Sequence, residues 1–142
     1  MGSRVIVASV LVLGLATGSP VLAQTAPQAG GAAPDAAAFL QRWDRSGKGL
    51  LDLKGVLNAA VVKFGMLDTQ RRGRLTEQDL GGLLTAQEFA VANPDGDKTI
   101  GAEEWFDITR RRFYAANPDN DGSLTVEELR TPDGQALIRL LQ

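Results

Sequence analysis

Asn117, Asp119, Asp121, Ser123, Thr125 and Glu128 stand at places 1, 3, 5, 7, 9 and 12 of "NPDNDGSLTVEE". Alternate spacing aims successive oxygens at one centre, and Gly122 at the sixth place permits the sharp turn. A hard cation takes roughly 6–8 oxygens at about 2.3–2.6 Å, and twelve residues in this order supply them. Asn117 offers a neutral amide oxygen, the Ser123 carbonyl serves at the seventh place, Thr125 acts through water, and Glu128 closes the shell. The same residues have a plainer use, since Thr125 and Glu128 also make a capping box at a helix start. The two uses are compatible.

A cruder copy, "NPDGDKTIGAEE", runs from Asn93 to Glu104. Asn93, Asp95, Asp97, the Thr99 carbonyl and Glu104 all fall in register. Lys98, however, occupies the turn position, where a side chain in left-handed geometry costs about 1–2 kcal/mol. Gly101 at the ninth place adds no ligand. This loop is predicted to be the weaker of the two. Pro94 and Pro118 fix φ near about −65° and lower the entropy of the empty loops. Three side-chain carboxylates per loop neutralise a trivalent ion and overcompensate a divalent one by one. Attraction and dehydration cost both rise with ion charge, so this count alone does not choose the metal.

Two further segments keep the frame and lose the chemistry: "DRSGKGLLDLKG" (Asp44–Gly55) and "DTQRRGRLTEQD" (Asp68–Asp79). Asp44 is followed by Ser46 and Lys48, with Gly55 where Glu should close. Asp68 is followed by Gln70 and Arg72, with Arg71 and Arg74 alongside, and three arginines repel a cation. The plain expectation is a spent loop kept for its turn and short strand. The sharper one is an arginine cluster that docks on an acidic surface, such as the loaded loops of a second copy. The four starts are 24, 25 and 24 residues apart, and an aliphatic stands at each eighth place: Leu51, Leu75, Ile100 and Leu124. That regularity marks a repeat.

Between the loops the hydrophobic period becomes helical. Leu53, Val56, Leu57, Ala60, Val61 and Phe64 trace one buried face. Leu80, Leu83 and Leu84 begin a second, weakened by Gly81 and Gly82 at roughly 1 kcal/mol each. Trp105, Phe106, Ile108 and Phe113 supply a third. Ala36, Phe39, Leu40 and Trp43 precede the first loop with Asp35 as cap. After the last, Thr131 caps a helix with Pro132 at its first position and Leu137, Leu140 and Leu141 inward. The expected fold class is all-α: a small helical bundle of four fused, short-spaced helix–loop–helix repeats with short β pairings between loops. Roughly a dozen residues between loops leave room for one helix, which leaves one loop and enters the next.

The chain ahead of this region reads as export machinery. "MGSRVIVASVLVLGLATGSPVLAQ" has a basic start, an apolar run and a small-residue exit, so residues 1–23 are expected to be a signal peptide cleaved after Ala23. The run is shorter than the ~20 residues of a membrane span. Residues 24–34 are small and Pro/Gly-rich, a flexible leader, and the domain is expected over 35–142. Without Arg4 the mature chain carries 14 basic and 17 acidic residues, a net charge of −3 that argues against nucleic acid. It has no cysteine and no histidine, which excludes disulfides, nucleophile–His catalysis and His-ligated zinc. With its acids assigned as ligands or caps, the chain is not expected to be an enzyme. Arg110–Arg112 reads as a solvated helix face, and Trp105 as core beside the third loop.

Short-spaced fused hands, an export signal, Pro at the second loop position and the ending "ANPDNDGSLTVEELRTPDGQALIRLLQ" resemble the lanmodulin family, the periplasmic lanthanide-binding EF-hand proteins of methylotrophic bacteria. The likeness runs from about Ala38 to Gln142 and is tightest over the last two loops. It implies binding of lanthanide(III) ions, ordering of the chain on binding, a periplasmic location and a place in lanthanide handling. The family's acidic residue at the ninth place is absent at Gly101 and Thr125 and kept at Asp52, in a loop without the other ligands. A divergent paralogue with its own metal preference is therefore expected, with Ca²⁺ as the alternative ion. Open coordination positions would be filled by water, by Glu103 or Glu127, or by a neighbouring chain's carboxylate in a metal-bridged homodimer. The competing function is a calcium-dependent module that grips a protein partner.

Overall fold

The computed structural model describes residues 34–142; the expected signal peptide at 1–23, and all but the last residue of the expected leader at 24–34, lie outside them. The described residues are 58 % helical, in seven helices, with two small antiparallel sheets. The all-α expectation holds in that coarse form.

Chain order follows the sequence pattern. Helix α1 (Ala36–Trp43) starts at Asp35, whose carboxylate accepts from the Ala37 and Ala38 N–H groups. A turn leads to β1 (Leu51–Asp52) and then α2 (Leu53–Leu67), which Asp52 caps through the Gly55 N–H. Strand β2 (Arg74–Thr76) opens onto α3 (Glu77–Leu80). After a break come α4 (Ala86–Ala92), β3 (Thr99–Gly101), the long α5 (Ala102–Ala116), β4 (Ser123–Leu124), α6 (Val126–Leu129) and α7 (Pro132–Leu141). Thr131 caps α7 through the Gly134 N–H, with Pro132 first inside the helix, where its missing donor costs nothing.

The four eighth-place aliphatics are all fully buried: Leu51, Leu75, Ile100 and Leu124. They are also the pairing points. Leu51 faces Leu124 in the β1–β4 ladder, and Leu75 faces Ile100 in β2–β3. The first loop is thereby joined to the fourth and the second to the third. Each acid-rich loop is tied to one that lacks acids at its third and fifth places. Around these ladders close Phe39, Val56, Trp105, Phe113, Leu129, Leu137, Ile138 and Leu140, a continuous apolar core.

Three details differ from the sequence reading, the first being Arg112, expected on a solvated face but with its side chain only 16 % exposed and donating to the Ala136 carbonyl and to Glu88. The connector between the second and third loops is not one helix. Gly81 and Gly82 both take positive φ, +54° and +86°, which ends α3 outright instead of merely weakening it. Thr85 and Glu88 then cap α4 reciprocally. Val61, expected inward, is 55 % exposed. The buried line of α2 runs through Val56, Ala59 and Ala60 instead. The small alanines let the Trp105 indole lie against the α2 backbone, its Nε1 donating to the Ala60 carbonyl at 3.0 Å. That contact turns Val61 to solvent. Among the described residues, no helix is long and apolar enough to cross a membrane.

Candidate metal centre

All four loops share one backbone signature. Positive φ occurs at the fourth and sixth places of each: Gly47 and Gly49, Arg71 and Gly73, Gly96 and Lys98, Asn120 and Gly122. The frame survives where the ligands do not. Lys98 takes φ +65°, the strained conformation expected at that place. Lys98→Gly should therefore stabilise the fold by about 1 kcal/mol, read as a rise in the urea midpoint at unchanged slope.

What the first residue of each loop does divides them. In the first loop, Asp44 Oδ1 accepts from the Ser46 and Gly47 N–H groups and the Ser46 hydroxyl, and Oδ2 accepts from the Gly49 N–H at 2.7 Å. In the second, Asp68 Oδ1 accepts from the Arg72 N–H at 2.8 Å and Oδ2 from the Gly73 N–H at 2.6 Å. Both aspartates are satisfied by their own turns. In the third and fourth loops the residue is asparagine, with matching backbone angles: φ −112°, ψ 72° at Asn93 and φ −112°, ψ 74° at Asn117. Both are buried, at 9 % and 3 % exposure. Asn93 Oδ1 has no partner, and neither does either polar atom of Asn117. A buried polar atom without a partner costs about 1–3 kcal/mol.

The closing residues repeat the division. Glu128 Oε2 accepts from the Thr125 N–H and hydroxyl, both at 2.8 Å, while Oε1 is buried and unpartnered. Half of this carboxylate caps α6 and half is free. Glu104 Oε2 accepts from the Gly101 N–H at 2.8 Å at the start of α5. By contrast, Asp79 closes the second loop on the Thr76 N–H and hydroxyl and on the Arg72 guanidinium at 2.6 Å. A side-chain cation already sits on its carboxylate. In the first loop the closing place is Gly55, where a Cβ would come within 2.7 Å of Leu51 Cδ1 and 3.0 Å of the Trp43 carbonyl oxygen.

The intervening carboxylates are held by local turns. Asp119 Oδ1 accepts from the Asp121 N–H, and Asp121 Oδ1 from the Ser123 N–H and hydroxyl. Asp95 Oδ1 accepts from the Asp97 N–H, and Asp97 Oδ1 from the Thr99 N–H and hydroxyl. The Thr99 hydroxyl and N–H, aided by the Arg74 charge, keep the Asp97 carboxyl below its ordinary value against desolvation. Among the described residues, no three acidic side chains gather into a ready-made cage. The third and fourth loops thus bring together buried, unpartnered oxygens at one or both ends, with the carboxylates of the middle turned to their own backbone.

Arg74 belongs to the cluster expected either to repel a cation or to dock on an acidic surface such as the loops of a second copy; within the chain it pairs with an acid-rich loop of its own. It reaches out of the second loop to Asp97 in the third. The contact follows from the β2–β3 register, which puts the seventh residue of the second loop beside the third; the repeat alone does not say which loops pair.

Three carboxyls outside the acid-rich loops are held below their ordinary values. Asp44 is lowered first by the Ser46 hydroxyl and then by backbone N–H groups. The Thr76 N–H and hydroxyl lower Asp79, and the Thr85 N–H leads at Glu88, where Arg112 adds its charge. A carboxyl depressed on folding contributes stability above its unfolded value, 3.8 for aspartate and 4.5 for glutamate. That contribution is lost as pH falls through the folded value. Helical circular dichroism should stay flat from about pH 7 to 5 and fall below about pH 4, and Asp79→Asn should shrink the acid limb.

No protein-family model matches the chain, and no curated protein matches it.

Proposed function

We propose that the chain is an exported, periplasmic EF-hand metal-binding protein of the lanmodulin kind, a set of four fused hands of which two bind. The loops 93–104 and 117–128 take the ions: lanthanide(III), with Ca²⁺ as the alternative, for metal handling or sensing. The observation that carries this reading is the set of buried oxygens without partners at Asn117, Glu128 and Asn93. The first and second loops leave no such oxygen at Asp44 or Asp68, because their turns satisfy both. A cation in the third or fourth loop would satisfy the orphaned oxygens and draw the mid-loop carboxylates from their backbone donors. Each loop then offers three carboxylates, an amide oxygen and a backbone carbonyl (Thr99 or Ser123), with water completing the shell.

A second reading, a calcium-dependent module for a protein partner, draws on the exposed apolar side chains of α2: Val61, Val62 and Met66, the last 65 % exposed. Metal competition separates the two. Trp105 follows Glu104 directly, so terbium in the third loop should emit when tryptophan is excited. Emission that survives a thousandfold calcium excess supports the rare-earth reading, and emission erased by equimolar calcium supports the other.

A further inference from the structure

We propose that Arg74 acts as the resident cation of the third loop and sets that loop's affinity threshold. This rests on the reading of residues 93–104 as a cation site. Strand β2 pairs antiparallel with β3, with Arg74 opposite Gly101 and Thr76 opposite Thr99. The seventh residue of the second loop is thereby delivered to the third. Arg74 Nη1 donates to Asp97 Oδ2 at 3.2 Å, while Asp97 Oδ1 already accepts from the Thr99 N–H and hydroxyl. Both oxygens of the fifth-place ligand are therefore engaged, one of them by a positive charge from another loop.

The fourth loop supplies an internal control. Asp121 makes the same turn with Ser123, but no arginine bridges to it among the described residues' ion pairs. Its partner is the first loop, where the place equivalent to Arg74 holds Leu50, which carries no charge. The two candidate loops thus differ by one partner cation as well as by Lys98 and Gly101. Arg72 does not share this role, because it neutralises Asp79 within its own loop.

An incoming ion must displace Arg74 from Asp97 or bind beside it. The pair is displaceable: its side chains are 63 % and 35 % exposed, and exposed pairs are worth little. Displacement weakens every cation by the same factor, and the nearby charge adds repulsion. The third loop therefore fills only after the fourth, and its filling releases a guanidinium at the surface. Occupancy becomes a two-step response to metal concentration instead of a single step.

The test uses terbium with the full mature chain, excited at tryptophan. The titration phase lost in Glu104→Gln identifies the third loop. Arg74→Gln and Arg74→Leu, the second copying Leu50, should each tighten that phase by about three- to fivefold and leave the fourth-loop phase, read by calorimetry, unchanged. Arg71→Gln removes a charge from the same loop that has no ion pair with Asp97, and should tighten it much less. An unchanged third-loop phase in both Arg74 variants overturns the inference alone, as does equal tightening by Arg71→Gln, which would make the effect long-range charge. No terbium phase in any variant overturns the metal reading together with it.

Discussion

Gly134→Ala is expected to destabilise the protein by about 3 kcal/mol, at the upper end of overpacking costs. A Cβ at this place would collide with the Glu128 carbonyl oxygen and lie 2.5 Å from Leu129 Cα and 2.7 Å from the Leu129 carbonyl carbon. All three are backbone atoms, so no rotamer change relieves the clash and α7 must move away from α6. The position also donates its N–H to the Thr131 hydroxyl, whose own proton goes to the Glu128 carbonyl at 2.7 Å. Damage here therefore reaches the residue that closes the fourth loop, and metal affinity should fall along with stability. Gly65 is the contrast. It lies within α2 with nothing inside 4 Å of its would-be Cβ, so Gly65→Ala should stabilise by about 0.5–1 kcal/mol. Urea unfolding of the two variants reads both signs.

Glu128→Gln separates the two uses of the fourth loop's last residue. The amide oxygen can still accept from the Thr125 N–H, so the cap on α6 persists and stability should change by less than about 1 kcal/mol. Charge and one ligand oxygen are lost together. Affinity of that loop for a trivalent ion should then fall about a hundredfold, near 2.7 kcal/mol. Calorimetric titration beside a thermal melt gives both quantities from one preparation. A large drop in melting temperature with unaltered affinity would make Glu128 a helix cap and nothing more.

Much of the frame was readable from the repeat. Leu51, Leu75, Ile100 and Leu124 announce themselves because an aliphatic recurs at one place in each loop, and burial follows from that recurrence. The caps at Asp35, Thr125 and Thr131 were readable because their chemistry is local. Loop pairing was not. The four eighth-place side chains are interchangeable in kind, so nothing in them says that the first loop seeks the fourth. The reach of Arg74 to Asp97 was hidden for the same reason, since it exists only once β2 lies beside β3. Val61 was misassigned because periodicity marks a stripe, while the Trp105 contact with Ala60 decides which edge of that stripe is covered. At the candidate site, spacing nominated the oxygens of the third and fourth loops. It could not show that Asn93 and Asn117 are buried without partners while Asp44 and Asp68 are satisfied, because that depends on which N–H groups each turn presents.

The central claim is that two loops of the four bind metal, and equilibrium dialysis against terbium counts them. A chain of residues 24–142 should retain two ions, falling to one with Glu128→Gln at terbium concentrations well below the weakened affinity of the altered loop. Retention of none, or of four, would contradict the account.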